Sequence, residues 1–254
     1  MKRLTCELYV INKNGMGIKL SRKKPKNLLL SIIYRMQKLL PLSNKTKLKL
    51  YLDLEWIFDR LSHEISFKIY SPNEHPVRTF SKEFILSNIN GNDIVLDLGC
   101  NLGDISFFIS EKAKEVVGID YNKNAIEIAK KRYIKNNLTF IYGEAFEFLN
   151  SNNKKFDILI LSHILEHLDN PQEFLLRFKD YFKFIYIEVP DFDKSYLNYY
   201  RKDLKLKLIY SDNDHVSEFD RDELKSLLRI CHIDVIKEEY RFGVQKLWCS
   251  TNKG

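Results

Sequence analysis

The stretch IVLDLGCNLGDIS, residues 94–106, decides the fold of this chain. Its first half is a continuous apolar run, which is typical of a strand buried on both faces of a parallel sheet. Gly99 and Gly103 bracket a turn in which glycine permits positive φ and the close approach of a ligand. A helix is expected from Asp104, so its unpaired amide groups face the turn. The stretch predicts a nucleotide-type site at the carboxyl edge of the sheet.

The spacing within this stretch narrows the class of ligand. A dinucleotide fingerprint reads G-x-G-x-x-G with no acid ahead of it, whereas here Asp97 precedes Gly99 and Gly103 follows. A carboxylate in that position suits a cationic ligand, because a nearby negative charge stabilises a sulfonium or amino group. The alternative is a purely structural strand–turn–helix in another α/β protein.

The pattern resembles motif I of the class I S-adenosylmethionine (SAM) methyltransferases. Asn101 replaces the middle glycine of the commoner G-x-G-x-G form, and asparagine tolerates left-handed φ better than most residues. The resemblance implies that Asp97, Gly99 and Gly103 hold the methionine part of SAM. It places Cys100 and Asn101 in the same binding turn.

Two later strand ends carry further candidates for binding the cofactor. Asp120 follows the second strand about 20 residues after the first glycine, where an acid accepts hydrogen bonds from ribose hydroxyls; the alternative role is a helix N-cap. The resemblance implies that Tyr121 lies beside the adenine. After the third strand, Glu144 and Ala145 match family positions that contact the adenine. Glu144 could instead support the helix dipole.

The fourth strand runs into FDILILSHILEHLDNPQEF, which also resembles these methyltransferases. The resemblance implies that Ser162, at the strand tip, lies next to the methionine part of SAM. His163, Glu166 and His167 follow at i, i+3 and i+4 spacing, so one helical turn would place them on one face. They could act as a general base pair, with His167 or His163 taking the acceptor proton, or as metal ligands.

Two metal-containing methyltransferase families are similar in this region. Ubiquinone-pathway O-methyltransferases and small-RNA terminal 2′-O-methyltransferases carry E-x-x-E-H after the fourth strand, and the latter have a later histidine. Glu166 and His167 match the E-H pair, His215 matches the later histidine by its context, and His163 stands where those families have the first Glu. A set of one glutamate and three histidines suits zinc or manganese. Metal-free members of the methyltransferase family keep the same E-H pair, so no metal is predicted. The run also reads H-x-x-E-H, a zinc-peptidase signature, but here it follows a buried strand.

Strand and helix patterns alternate from residue 94 onward, which implies a parallel sheet with right-handed crossovers. A last tight turn at residues 242–243 must join antiparallel strands. The resemblance implies an α/β, Rossmann-like, seven-stranded and mostly parallel sheet with an antiparallel C-terminal hairpin. The predicted strands are 94–97, 115–119, 138–142, 156–161, 183–189, 233–240 and 244–250. The predicted helices are 104–112, 122–136, 144–150, 171–181 and 221–230.

Residues 1–80 are predicted to form a basic, mainly helical N-terminal cap or arm, and residues 81–254 the methyltransferase domain. Within the cap, weak signals indicate two short strands in residues 1–20 joined at Asn14–Gly15, and helices are predicted at 27–40 and 45–63. Residues 66–80, which include Pro76, read as irregular, and Ser81 reads as the N-cap of a short helix to Ile89. Residues 1–52 hold thirteen Lys and Arg and a single acid. The arm at 19–49 could contact RNA or an anionic membrane, cover the SAM pocket, or simply present a solvated basic face.

Composition bounds the class of protein. The chain has 254 residues, 44% of them hydrophobic, enough for a sizeable core. Four widely spaced cysteines and no run of about 20 apolar residues favour a cytoplasmic protein with reduced thiols.

The sequence therefore predicts a SAM-dependent methyltransferase that O-methylates a sugar or other small hydroxylated acceptor, such as part of a glycan. The long connection before His215 carries Tyr196, Tyr199, Tyr200 and Tyr210 and is interpreted as a substrate lid. One alternative is a metal-assisted RNA ribose 2′-O-methyltransferase. Another is a non-catalytic partner protein with the SAM fold. The oligomeric state is left open.

Overall fold

The computed structural model describes residues 9–11, 17–19, 27–71, 74–151, 154–209, 212 and 214–251. Contacts divide the chain into two compact units, Met1–Lys47 and Leu48–Gly254. The unit that contains the large sheet starts at Leu48. The sequence predicts that the methyltransferase domain starts at residue 81, and this domain boundary stays a prediction.

The first unit contains a two-stranded ribbon and a helix. Strands β1 (Tyr9–Ile11) and β2 (Gly17–Lys19) pair antiparallel, as the weak strand signals predicted. Helix α1 (Leu28–Leu39) begins at Asn27, whose side chain accepts a hydrogen bond from the Leu30 amide at 3.1 Å. The expected turn at Asn14–Gly15 lies outside the described residues.

Two helices precede the sheet, and they correct the prediction for this region. Helix α2 (Asn44–Ile69) runs past residue 63, and α3 (Pro76–Asn88) begins well before Ser81. Pro76 starts α3 because proline is pre-organised for the first helical position and needs no amide partner there. Ser81 is therefore not an N-cap; it is buried inside α3, and its hydroxyl donates to the Val77 carbonyl at 3.0 Å.

The seven-stranded sheet has the order β5-β4-β3-β6-β7-β9-β8. Strands β3 to β7 are parallel, and β9 runs antiparallel to both β7 and β8. This confirms the predicted fold class. The strands are β3 (Ile94–Leu98), β4 (Glu115–Asp120), β5 (Leu138–Tyr142), β6 (Ile158–Ser162), β7 (Phe184–Pro190), β8 (Asp234–Arg241) and β9 (Val244–Ser250).

The helices that connect these strands begin close to where the sequence predicts and several end earlier. Asn122 and Asn170 cap two of them with their side chains, and Asp220 with Glu223 forms a capping box at a third. The connecting helices are α4 (Asp104–Ile109), α5 (Lys123–Arg132), α6 (Ala145–Ser151), α7 (Pro171–Phe178), α8 (Leu197–Asp203) and α9 (Arg221–Ile230). Short 3₁₀ turns cover Leu165–His167, Lys179–Tyr181 and Phe192–Lys194.

The core lies on both faces of the sheet. Along β6, Ile158 and Ile160 pack into one apolar cluster while Leu159 and Leu161 pack into the other, and all four are fully buried. Cys100, Cys231 and Cys249 are buried free thiols. Among the described residues, no helix combines the length and apolar character needed to cross a bilayer.

Strand order positions the site. The chain leaves β3 towards β4 on one side and returns to β6 on the other, so a crevice opens between β3 and β6 at their carboxyl ends. The motif I turn and the segment after Ser162 both lie at that edge.

Candidate functional site

The turn after β3 adopts the left-handed conformations that its sequence predicts. Gly99 has φ of 72°, Asn101 of 46° and Gly103 of 80°. At Gly103 a Cβ atom would lie 2.5 Å from the ring of Phe140, so both the backbone angle and the space require glycine. The turn therefore packs close to the sheet, and Asn101 is its exposed residue.

Asp120 anchors this turn to the end of β4. Its Oδ2 accepts from the Asn101 amide at 2.8 Å and its Oδ1 from the Asn122 amide at 2.7 Å. Asn122, not Asp120, caps α5. Each carboxylate oxygen can accept more than one hydrogen bond, so Asp120 keeps capacity for a ligand hydroxyl.

Asp97 is a buried carboxyl at the end of β3. It is 2% exposed and accepts a hydrogen bond from the Ser106 hydroxyl at 2.5 Å. Burial raises its pKa to about 7 against the opposing effect of the Ser106 hydrogen bond, and the negative charge of Asp120 adds to the rise. A cationic ligand would favour the ionised form.

The other predicted cofactor residues lie around the same edge in varied settings. Cys100 is buried, and burial raises the pKa of its thiol, which keeps it neutral. Tyr121 is 85% exposed, and Ser162 is half-buried opposite Glu188 in the sheet. The exposed Glu144 carboxylate accepts from the Glu147 amide at 2.8 Å. It thus stabilises the start of α6, while Ala145 packs in the core. The predicted contacts of Tyr121, Glu144 and Ala145 with the adenine, and of Ser162 with the methionine part of SAM, stay predictions.

His163 lies between two buried carboxylates. Its Nδ1 is 2.9 Å from Glu166 Oε1 and its Nε2 is 3.3 Å from Glu188 Oε1. The Tyr186 hydroxyl donates a short hydrogen bond to the other oxygen of Glu188. His163 has φ of 56°, a strained angle for a non-glycine residue, and the surrounding contacts hold it there.

This arrangement makes His163 an imidazolium. Burial lowers its pKa, but the hydrogen bonds and charges of Glu166 and Glu188 outweigh that effect and raise the pKa to about 10. The same contacts lower the pKa of Glu188 despite its burial. Both ring nitrogens then carry protons, so His163 is poorly suited to accept one, and His167 is the better placed of the two predicted bases.

His167 and His215 converge on the other side of Glu166. His163, Glu166 and His167 do not share one face of an α-helix as predicted, because His163 precedes the 3₁₀ turn and Glu166 lies between His163 on one side and His167 on the other. The two rings are 4.7 Å apart edge to face. Glu166 Oε2 is buried and has no hydrogen-bond partner among the described residues.

One atom each from Glu166, His167 and His215 lies within 4.8 Å of the others, a spacing that could hold a metal ion. A carboxylate with two imidazoles is a donor set that suits a first-row divalent metal. His215 Nδ1 is also 3.0 Å from Glu218 Oε1, which orients its ring and raises its pKa against the effect of burial.

A cavity of about 620 Å³ opens beside His163. One wall is the middle of α2, which the sequence did not associate with the site. The facing walls are the start of α8, the end of the β7 segment and the region around His215. Its described lining is Glu55, Trp56, Asp59, Arg60, His63, Glu64, Phe67, Val77, His163, Pro190, Asp191, Lys194, Ser195, Asn198, Arg201, Ile209, Asp212, His215, Glu218, Phe242, Gly243 and Val244.

The cations of this lining are engaged with acids. Arg201 is 2% exposed, donates to the Leu52 carbonyl at 2.8 Å and pairs with Glu55, which joins α8 to α2. Arg60 pairs with Asp212 at 3.0 Å, and Lys194 with Asp59 at 3.2 Å. Six Asp and Glu line the cavity against three Lys and Arg, so its walls are acceptor-rich.

A family model described as a methyltransferase domain matches residues 89–230 of the chain. The chain belongs to the methyltransferase domain family. The match covers β3 to α9 and so includes the motif I turn, Asp120 and the segment from Ser162 to His167. It confirms the predicted family, a class I SAM-dependent methyltransferase domain, and with it SAM as the cofactor that the family uses.

Curated relatives match over short stretches. A ubiquinone biosynthesis O-methyltransferase of Pelagibacter ubique is 36% identical over 81 residues, which is 32% of this chain and 34% of that protein. An uncharacterized RNA methyltransferase of Bacillus cereus is 35% identical over 100 residues, 36% of this chain and 22% of that protein. The chain thus spans less than half the length of either relative.

Solved methyltransferase structures share the fold. A SAM-dependent methyltransferase from Archaeoglobus fulgidus has a TM-score of 0.51 at 19% identity, covering 68% of this chain and 94% of that one. Magnesium protoporphyrin IX methyltransferase from Synechocystis, with bound SAH, has a TM-score of 0.52 at 16% identity, covering 76% and 93%.

Proposed function

We propose that this chain transfers the methyl group of SAM to a hydroxyl of a sugar or another small hydroxylated acceptor. One observation carries the proposal: the motif I turn adjoins the segment that borders an acid-walled cavity. A Cβ on Gly99 would lie 2.4 Å from Ile164, the residue after His163, and His163 itself lines the cavity. A donor in the crevice and an acceptor in the cavity would thus meet across one short segment.

The residues of the crevice fit SAM. The turn from Gly99 to Gly103 has the left-handed backbone that the family motif requires, Asp97 offers a carboxylate to a cation, and Asp120 keeps acceptor capacity for ribose hydroxyls. SAM supplies a methyl group on a positively charged sulfur. The chain's contribution is to hold that group and the acceptor oxygen close and collinear, which accounts for much of the rate of such a displacement.

The cavity supports a polyhydroxylated acceptor over a phosphorylated one. The wall carboxylates are themselves paired with Lys, Arg or His side chains, but a carboxylate has several acceptor positions and can still accept from a hydroxyl. Trp56 and Phe242 offer apolar surface for the carbon face of a sugar ring. Its Arg60, Lys194 and Arg201 already pair with acids, so their charge is largely neutralised for a phosphate.

His167 is the proposed general base for the acceptor hydroxyl. Its side chain is 34% exposed beside the cavity residue His215, and its Nδ1 lies 3.3 Å from the Asp214 carbonyl, which can orient the ring. The imidazolium of His163 would instead hold Glu166 and Glu188 in place, so its role is positioning.

The test is transfer of labelled methyl from SAM to a panel of sugars, glycosides and other small alcohols, with RNA oligonucleotides as a separate arm. Label on a sugar or alcohol is expected, and Trp56→Ala should raise KM for that acceptor more than it lowers kcat. Asp97→Ala should abolish transfer, while Ile134→Ser, at an exposed site just after the end of α5, should leave it unchanged. Label on no hydroxylated small molecule would refute the acceptor class.

A second candidate is metal-assisted methylation of an RNA ribose, which the Glu166–His167–His215 cluster favours. These residues would hold the metal, and it would polarise the acceptor oxygen. Metal analysis of the purified chain, with and without Glu166→Gln, tests this directly. Stoichiometric metal in the native chain that is lost in Glu166→Gln, together with methyl transfer to RNA, would support the second candidate over the first. Methyl transfer by a metal-free chain would exclude the second candidate.

A further inference from the structure

Helix α1 carries a wide apolar face that none of the described residues of its own unit covers. Its eight large apolar side chains are between 44% and 82% exposed. They are Leu28, Leu29, Leu30, Ile32, Ile33, Tyr34, Met36 and Leu39. An apolar patch of this kind on a helix marks a surface for a partner or a membrane.

The polar side of α1 is narrow and positive. Ser31, Arg35 and Lys38 recur at i, i+4 and i+7 and so form a single stripe along the helix. Between residues 8 and 52 the sequence contains no Asp or Glu, and SRKKPK at 21–26 adds four positive charges next to the helix.

We propose that α1 binds in the interface of an anionic lipid bilayer, with its apolar face among the acyl chains and its basic stripe at the headgroups. A helix with apolar residues on one side and only Lys and Arg among its charges matches this environment. The surface potential of an anionic membrane attracts basic segments that flank such a helix.

Charge and shape argue against the other occupants. A second copy of this unit would bring together two strongly positive segments, which repel each other. Nucleic acid would pair with the Lys and Arg side chains but leave the eight exposed apolar side chains without partners. An anionic bilayer offers partners to both kinds of side chain.

Sedimentation of the full chain with vesicles tests the proposal. Vesicles of phosphatidylcholine and phosphatidylglycerol mixed roughly 2:1 should bind it much more strongly than phosphatidylcholine alone, and added salt should weaken binding. Ile33→Ser with Met36→Ser should lower binding at least about tenfold, because both lie at the centre of the apolar face. Arg35→Gln with Lys38→Gln should weaken binding to anionic vesicles only.

The matched control is Ile134→Ser with Ile230→Ser, two exposed apolar residues in the other unit, which should bind as the native chain does. Circular dichroism verifies that each variant is folded. The proposal is overturned if the native chain stays in solution, binds both vesicle types equally, or loses binding as much in the control. It is also overturned if the native chain forms a dimer in buffer and the double substitution Ile33→Ser with Met36→Ser dissociates that dimer. A second copy would then cover α1.

Discussion

Replacing Asp97 by Asn tests the electrostatic role of the carboxyl group at the end of β3. The pKa of Asp97 is about 7 in the ligand-free chain, so the group changes from neutral to ionised near neutral pH. Only the ionised form attracts a cationic ligand. Such a group is roughly 90% ionised at about pH 8 and roughly 10% at about pH 6. If only the ionised form binds SAM tightly, affinity should fall about tenfold over this range, or about 1.4 kcal/mol.

Isothermal titration calorimetry at both pH values measures this change. The amino group of SAM titrates in the same range, so the decisive quantity is the affinity of the native chain relative to Asp97→Asn at each pH. That ratio should fall about tenfold between pH 8 and pH 6. A ratio that stays constant would refute the view that the Asp97 charge binds the cofactor.

Asp97→Asn should also raise the thermal stability of the ligand-free chain at about pH 8. A buried carboxyl group with a raised pKa destabilises the folded state as it ionises, by an upper limit of about 4 kcal/mol here. The effect should vanish near pH 4, where the carboxyl is protonated in the folded chain; a variant less stable at both pH values would contradict it.

Three further substitutions address the surroundings of the site. The pKa of His163 is raised to about 10, so its contribution to the free energy of unfolding is present in full below pH 6.5 and is lost as the pH rises through about 10. Urea titrations should show this loss in the native chain and much less of it in His163→Gln. Gly103→Ala should lower the free energy of unfolding by about 1–3 kcal/mol, because its φ is positive and Phe140 occupies the space. Gly91→Ala, where a Cβ meets only an ordinary contact, should change it far less, and equal losses would contradict the steric argument. Arg201→Met should lower the free energy of unfolding in urea by about 1–3 kcal/mol, because it removes the Arg201 hydrogen bonds to the Leu52 carbonyl and to Glu55 that join α8 to α2. An unchanged midpoint would show that the fold does not depend on these contacts.

The parallel sheet and the motif I turn could be predicted from sequence because each depends on local pattern. Apolar strand runs, glycines at positive-φ positions and acids at strand ends each report on the backbone within a few residues. The helix ends were predicted less well. Pro76 read as a break, yet proline fits the first turn of a helix, and Ser81 resembled a cap although it is buried inside α3.

The chemistry around His163 depends on contacts that the sequence could not show. Spacing alone suggested three groups on one helical face. In the structure His163 instead joins Glu166 to Glu188 of the neighbouring strand, and this sets its charge. The wall supplied by α2 is on the order of a hundred residues from His163 in sequence, and its association with the cavity follows from packing alone. Glu218 and Glu64 carried local signals that could have been found, at i, i+3 from His215 and i, i+4 from Arg60.

A crystal structure of the chain with S-adenosylhomocysteine would show directly whether the cofactor faces the acceptor cavity. We expect the ribose hydroxyls against Asp120, the amino acid part near Asp97, and the sulfur directed past Ser162 towards the cavity beside His163. Binding at another place, or an orientation that turns the sulfur away from this cavity, would contradict it.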